Sequence, residues 1–393
     1  MSLIDRIAGP CARWLSQFVS RSLDHRAYPL DALRGLAIVG MVLVNGAPPT
    51  DSIYAPLVHA MWHGWTLADT VFPMFLFVVG VSIAFAVKRP VDREGAPPAG
   101  VHWKIARRAL LLFAIGVVLV NFPYYEPYKL QLTGVLAHIA VCYLVVALLH
   151  LHTGWRTQLA LIPAVWLIHW AVLTFLKVPG FGAGELTPLG NAARFVDQML
   201  LGPHSHSFYA GETETSGVLA IFSSVSSTLI GLLAGRYLRS ARDLPTRISG
   251  MFAAGFLLFM LGNAWNWILP VNKQLWTGSY VALTSGLSLG LLATAYWLME
   301  MYGRKAWAKP LQIAGVNALA FYVLAAVVQR LLVYGRISGS DGLPVQLRQA
   351  IYEQLVAPWI PGKPGALVFA FAILLLCFAI AALLYREKIF FKL

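Results

Sequence analysis

Thr66-Leu-Ala-Asp-Thr-Val-Phe-Pro-Met-Phe-Leu-Phe-Val-Val-Gly-Val-Ser-Ile-Ala-Phe-Ala-Val87 holds one carboxylate, Asp69, and then no charge until Lys88. A helix that crosses a bilayer needs about 20 apolar residues, and this stretch supplies them. Nine more segments of that kind lie on either side: 30–47, 105–122, 132–151, 157–176, 217–237, 251–269, 277–299, 311–334 and 366–385. The chain of 393 residues is 58% hydrophobic and 12% charged, with a mean hydropathy of +0.67. Soluble proteins carry roughly 25% charged residues. The expected fold is therefore an all-α polytopic membrane protein of about ten transmembrane helices.

The net charge of +13 sits at helix ends and in loops, which argues for membrane topology and against nucleic-acid binding. Alternate loops divide the cations unevenly. One set holds 21 Lys and Arg residues, from Arg6 through Arg107 and Arg108 to Lys392; the other holds 7, among them Lys129, Lys273 and Lys363. The richer set is expected to be cytoplasmic, with both termini inside. Residues 1–28 carry apolar residues at helical spacing interrupted by Arg6, Arg13 and Arg21, the pattern of an interfacial amphipathic helix. A single transmembrane domain follows over 29–386, with outer loops 177–216 and 335–365, and then a cytoplasmic tail over 387–393. The first outer loop contains a short amphipathic helix near 191–202. Cys11, Cys142 and Cys377 have neither metal nor redox spacing.

Before the second span, an outer loop gathers His59, Trp62, His63, Gly64 and Trp65 ahead of Asp69. His59 is a proton carrier near neutral pH. Asp69 reads two ways: as the fourth residue of a capping-box-like Thr66-x-x-Asp69, or as the group that holds the His59 ring in one tautomer. His59 and His63 would share a helix face, but no third ligand stands near, and no metal is expected. Asp31 and Arg34 open the first span, either as a cap with a snorkelling cation or with Arg34 meeting an anionic ligand. Asn45-Gly46 ends that span as a C-cap or as an amide aimed at a reacting group. Lys273 is an outer cation that topology disfavours, and Trp276 beside it reads as an aromatic-belt residue. Asn317 is a polar group inside the ninth span, expected to bond across helices. Gly231-x-x-x-Gly235 and Gly286-x-x-x-Gly290 mark close helix contacts.

The segments Leu30-Asp-Ala-Leu-Arg-Gly-Leu-Ala-Ile, Met41-Val-Leu-Val-Asn45 and His59-Ala-Met-Trp-His-Gly-Trp-Thr-Leu-Ala-Asp69 resemble heparan-α-glucosaminide N-acetyltransferase and its bacterial relatives. So do Arg107-Arg-Ala-Leu-Leu-Leu-Phe, Gly134-Val-Leu, Asn272-Lys-Gln-Leu-Trp-Thr-Gly-Ser and Gly315-Val-Asn-Ala-Leu-Ala-Phe-Tyr, in colinear order from about Leu30 to Tyr334. The resemblance implies a transmembrane transfer of acetyl from cytoplasmic acetyl-CoA to an extracytoplasmic amino sugar or glycan. It places the active-site histidine at His59 and its nearby asparagine at Asn45. Asp69 completes the expected catalytic set. Arg34, Arg107, Arg108 and Asn317 are the candidates for the co-substrate, and Trp62, Lys273 and Trp276 for the acceptor. Where the family commonly has Gln-Arg, this chain has Ala137-His138. The expected setting is the cell inner membrane, among lipids, with a homodimer as an open option. A glycan or lipid flippase without acyl chemistry is the competing reading.

Overall fold

A computed structural model gives the architecture, and it describes residues 19–20, 27–48, 53–87, 99–205, 213, 215–338 and 343–391. The expected N-terminal amphipathic helix lies almost wholly outside these residues. Its last part differs from expectation: Val19–Ser20 form a short strand, β1, rather than helix.

Each of the ten apolar segments lies on helix. They are α1 (Tyr28–Asn45), α2 (Leu67–Ala86), α3 (Val101–Asn121), α4 (Val135–His152) and α5 (Trp155–Phe175). After a short α6 (Ala192–Leu201) in the first outer loop come α7 (Val218–Leu238), α8 (Leu244–Trp265) and α9 (Gly278–Tyr296). The chain ends with α10 (Lys309–Val316), α11 (Ala318–Tyr334) and α12 (Gly362–Arg386). Among the described residues, 8 helices are long and apolar enough to cross a membrane, or 9 if the bent pair α10–α11 is one span. Helix α3 falls short because Lys104, Arg107 and Arg108 crowd its first two turns. The chain is a multi-pass membrane protein.

Contacts divide the chain into two compact units, Tyr54–Gly303 and a second made of Met1–Ile53 with Arg304–Leu393. In the larger unit, α2 and α7 meet at glycines. A Cβ at Gly80 would fall 2.0 Å from the Thr228 carbonyl oxygen, and one at Gly231 would fall 2.0 Å from that of Phe77. Backbones this close are the usual device where lipid supplies no hydrophobic drive between helices. Gly235 and Gly286 are also close to their neighbours, a Cβ there falling 2.7 Å from Ala84 Cβ and 2.5 Å from Phe259 N, whereas a Cβ at Gly290 would meet open space. The second expected glycine pair is thus only half used.

The loops of this unit sort to two ends. At one end Trp62 Nε1 donates to the Leu186 carbonyl, Asn272 Nδ2 to that of Trp62, and Leu132 N to that of His204. At the other end His150 Nε2 bonds the Val87 carbonyl, Arg239 bonds that of Ala84, and His102 meets His152.

In the smaller unit, α1 and α10 cross in near backbone contact. A Cβ at Gly35 would lie 1.8 Å from the Leu311 carbonyl oxygen, and one at Gly315 would lie 1.8 Å from that of Asp31. The span expected over 311–334 is not one helix. It breaks at Asn317 with a bend of 72° between its halves. The cause lies far along the chain. Asn317 Nδ2 donates to the Ile389 carbonyl at 2.8 Å, and its Oδ1 accepts from Phe391 N at 3.1 Å. Strand β2 (Phe390–Phe391), paired antiparallel with β1, is thereby anchored to the break. The expected free tail is, over its described residues, a docked segment.

Candidate active site

Residues 54–66 form an irregular loop whose shape is fixed by local chemistry. Pro56 sits in a single 3₁₀ turn, Ala55–Leu57. Gly64 has φ +100°, a conformation that side chains other than glycine rarely adopt. Its N–H donates to the Val271 carbonyl at 2.8 Å. Thr66 Oγ1 donates to the Val58 carbonyl at 2.7 Å and closes the loop on itself. Trp62 packs against buried Leu173, Val178 and Leu275 while its Nε1 bonds Leu186. The loop is not helical, so the helical spacing of His59 and His63 does not put them on one face. His63 faces Asn272, and burial lowers its pKa, which favours a neutral ring.

Asp69 performs both roles that its sequence position suggested, one with each oxygen. Oδ2 accepts from the backbone N–H groups of Ala60 and Thr66, both at 3.0 Å, and so caps α2 and holds the loop. Oδ1 lies 2.7 Å from His59 Nδ1 and 3.3 Å from Lys273 Nζ. Four N–H donors match the four lone-pair sites of a carboxylate. Asp69 is 1% exposed, and the Tyr280 hydroxyl donates to its backbone carbonyl at 2.6 Å.

A contact of 2.7 Å between an anionic oxygen and a ring nitrogen requires the proton between them. Nδ1–H therefore donates to Asp69, and the in-plane lone pair of Nε2 is left free. The His59 side chain is 41% exposed, so the Nε2 edge is open. Lys273 Nζ stands 2.9 Å from Nδ1 and 3.3 Å from Nε2. A group nearly equidistant from both nitrogens cannot lie in the ring plane without striking the carbon between them. The ammonium therefore sits over the face of the ring and leaves the Nε2 lone pair free.

Lys273 is delivered by a turn that sequence reasoning did not decode. Asn272 is fully buried; its Oδ1 accepts from Leu275 N, and its Nδ2 donates to the Trp62 carbonyl. Trp276 has φ +53°, strained for an aromatic residue at about 1–3 kcal/mol. That turn swings its indole inward against Phe72, His138 and Tyr280, where it is 0% exposed. Trp276 is thus a buried support under the site, not a residue of the outer belt. His138, the departure from the family pattern, lies in the same layer and bonds Ser224. Burial lowers the pKa of Lys273, with Asp69 opposing that shift.

The remaining expected residues are placed elsewhere. Arg107 and Arg108 lie toward the opposite end of the larger unit. Thirteen helical residues separate Arg108 from the end of α3, roughly 20 Å. The Arg108 guanidinium rests 4.8 Å from the centre of the Tyr143 ring. Arg34, Asn45 and Asn317 belong to the smaller unit. Arg34 pairs with buried Asp31 at 2.7 Å, so Asp31 is an ion-pair partner and makes no cap. The Asn317 amide bonds the C-terminal segment through both its nitrogen and its oxygen. Asn45 is the last residue of α1, and its side chain is exposed within the unit. Gly46 follows at φ −77°, so the left-handed C-cap expected of Asn-Gly does not form.

Among the described residues no group of three or more His, Cys, Asp or Glu side chains is placed to hold a metal. What the site does hold is a carboxylate, an oriented imidazole and a cation, the parts needed to remove a proton and steady a developing anion.

Comparison with known proteins agrees with the family resemblance. The heparan-alpha-glucosaminide N-acetyltransferase of Mus musculus is 31% identical over 360 residues, which is 77% of this chain and 54% of the mouse protein. The protein of the same name from Homo sapiens is 28% identical over an alignment of 431 residues, covering 94% of this chain and 60% of the human one. The chain thus spans little more than half the length of these relatives. The catalytic region of the heparan-alpha-glucosaminide N-acetyltransferase family matches residues 26–269, well over half of the sequence and including His59, Asp69 and all of α8. This chain belongs to that family.

Proposed function

We propose that the protein is a transmembrane acyltransferase that moves acetyl from cytoplasmic acetyl-CoA to an amino sugar or glycan on the far side of the membrane. The observation that carries this reading is the 2.7 Å bond between His59 Nδ1 and buried Asp69, which fixes the tautomer with Nε2 free. An acceptor amine must lose a proton as it attacks the thioester carbonyl. Nε2 takes that proton directly, or attacks the carbonyl first and carries the acetyl group as acetyl-imidazole. In both routes the C–S bond breaks, the thiol leaves, and the carbonyl oxygen gains charge. Lys273 supplies a cation beside that oxygen. Arg107 and Arg108 are proposed for the anionic tail of the donor. The loop bearing His59 would face the cell exterior and the Arg107 end the cytoplasm, which suits an inner-membrane enzyme.

A flippase would place its substrate site at a broken helix. The break at Asn317 instead engages its amide with the C-terminal segment, which weighs against a substrate site there. The test uses protein in lipid nanodiscs with acetyl-labelled acetyl-CoA and glucosamine. Wild type is expected to transfer label, and His59→Ala to lose transfer while keeping its helical circular dichroism and elution profile. Transfer at the wild-type rate in that variant would sink the proposal.

A further inference from the structure

Lys273 does more than supply charge. Its primary amine stands 2.9 Å and 3.3 Å from the two nitrogens of the ring that handles the acetyl group. We propose that Lys273 is an internal acetyl acceptor: when the external acceptor is scarce, its amine takes the acetyl group and the site is shut off as N-acetyl-lysine. This rests on the acetyltransferase reading above.

Held groups at such separations react with effective molarities of about 10⁵–10⁸ M, far above any dissolved acceptor. What restrains the reaction is protonation, since an ammonium has no lone pair. Asp69, 3.3 Å from Nζ, favours that proton. Burial opposes it: the Lys273 side chain is 13% exposed, and its pKa is lowered. The groups that face Lys273 are Asp69 on α2 and His59 on the loop before it. His63 and Tyr280 stand one contact further away, through Asn272 and the Asp69 carbonyl. As pH rises toward the depressed pKa, free amine accumulates.

In the step itself, the Nζ lone pair attacks the acetyl carbon and an N–C bond forms. The thioester C–S bond breaks, and the proton lost by nitrogen passes through His59 to the departing thiolate. From an acetyl-imidazole the same amide forms as the Nε2–acetyl bond breaks, and the proton lost by Nζ passes to the ring nitrogen that is released. The amide carries no charge, so it cannot pair with Asp69, and its acetyl group occupies the space over the imidazole.

Chemical acetylation follows exposure, which provides the contrast. Lys129, whose side chain is 54% exposed, should label before Lys273 in any non-enzymic reaction. The full chain in nanodiscs is incubated with acetyl-labelled acetyl-CoA, without acceptor, from about pH 7 to about pH 9, below the ordinary lysine pKa. Peptide mass spectrometry is expected to find one acetyl group on Lys273, ahead of Lys129 and increasing with pH, with activity falling in step. Saturating glucosamine should suppress both changes in wild type, an arm that needs no variant. His59→Gln should abolish label at Lys273 and leave that at Lys129 intact. Transfer to glucosamine with Lys273 unmodified across the range overturns this inference alone. So does label at Lys273 that is indifferent to glucosamine and to His59→Gln. Absence of label from both glucosamine and Lys273 overturns the acetyltransferase reading together with it.

Discussion

Asp69→Asn exchanges one carboxylate oxygen for an NH₂ group and should disable the site by an identifiable route. The Oδ2 position receives two backbone N–H groups, from Ala60 and Thr66, and neither can accept a hydrogen bond. Only the amide oxygen can occupy that position. The amide NH₂ must then stand where Oδ1 was, 2.7 Å from His59 Nδ1. A donor facing Nδ1 requires that nitrogen to be unprotonated, so the ring proton moves to Nε2 and the reactive lone pair is lost. In serine-protease triads the same exchange costs about 10⁴-fold in kcat through the wrong tautomer. Here that is about 5 kcal/mol of barrier. Lys273 loses its carboxylate as well. Breaking a buried pair by removing one partner costs about 3–5 kcal/mol of stability, and with Lys273 slightly exposed the lower end applies. Turnover in nanodiscs reads the first effect, thermal melting in detergent reads the second, and ¹⁵N chemical shifts of the His59 ring read the tautomer. Asp69→Ala has no amide to impose a tautomer and should retain more turnover than Asp69→Asn despite being less stable. An Asp69→Asn enzyme that stays folded and turns over within about tenfold of wild type would refute the argument.

Lys273→Met tests the electrostatics of the same turn. The folded-state pKa of Lys273 lies below its ordinary value of 10.5, so between the two the unfolded chain holds more protons, and folding stability gains with rising pH. The difference in melting temperature between wild type and Lys273→Met should therefore shift in favour of wild type as pH climbs through that window. A difference that stays constant with pH would show that the lysine is not desolvated. Gly231→Ala tests the α2–α7 contact, where a Cβ would meet the Phe77 carbonyl oxygen at 2.0 Å and neither backbone can yield cheaply. A loss of at least about 1–3 kcal/mol is expected, while Gly290→Ala, facing open space, should melt like wild type. Equal melting of the two glycine variants would contradict the packing.

The helices were legible because a bilayer leaves the chain little choice. Long apolar runs such as 66–87 must satisfy their own backbone and so become helix wherever they cross. Breaks and turns were not legible, because their causes lie at long range. Asn317 reads as a polar residue within a span until the segment Ile389–Phe391 is seen to hold it. Trp276 reads as a belt residue because an aromatic in an outer loop normally is one. Nothing local announces that its backbone adopts φ +53° and turns the indole into the core.

The site shows the same division more sharply. His59 was visible as a histidine in a loop of unusual composition, and Lys273 as a cation on the side that topology disfavours. Each anomaly had no explanation alone, and 214 residues separate the two. They explain each other through Asp69, whose capping and orienting roles looked like alternatives because a sequence assigns one letter to two oxygens. A carboxylate that caps with one oxygen is immobilised by that cap, so its other oxygen can hold a ring with little further loss of freedom. On that argument the capping contacts are part of the geometry of the candidate site. Loosening the Thr66 end of α2 should disturb His59 as surely as a change at Asp69 itself.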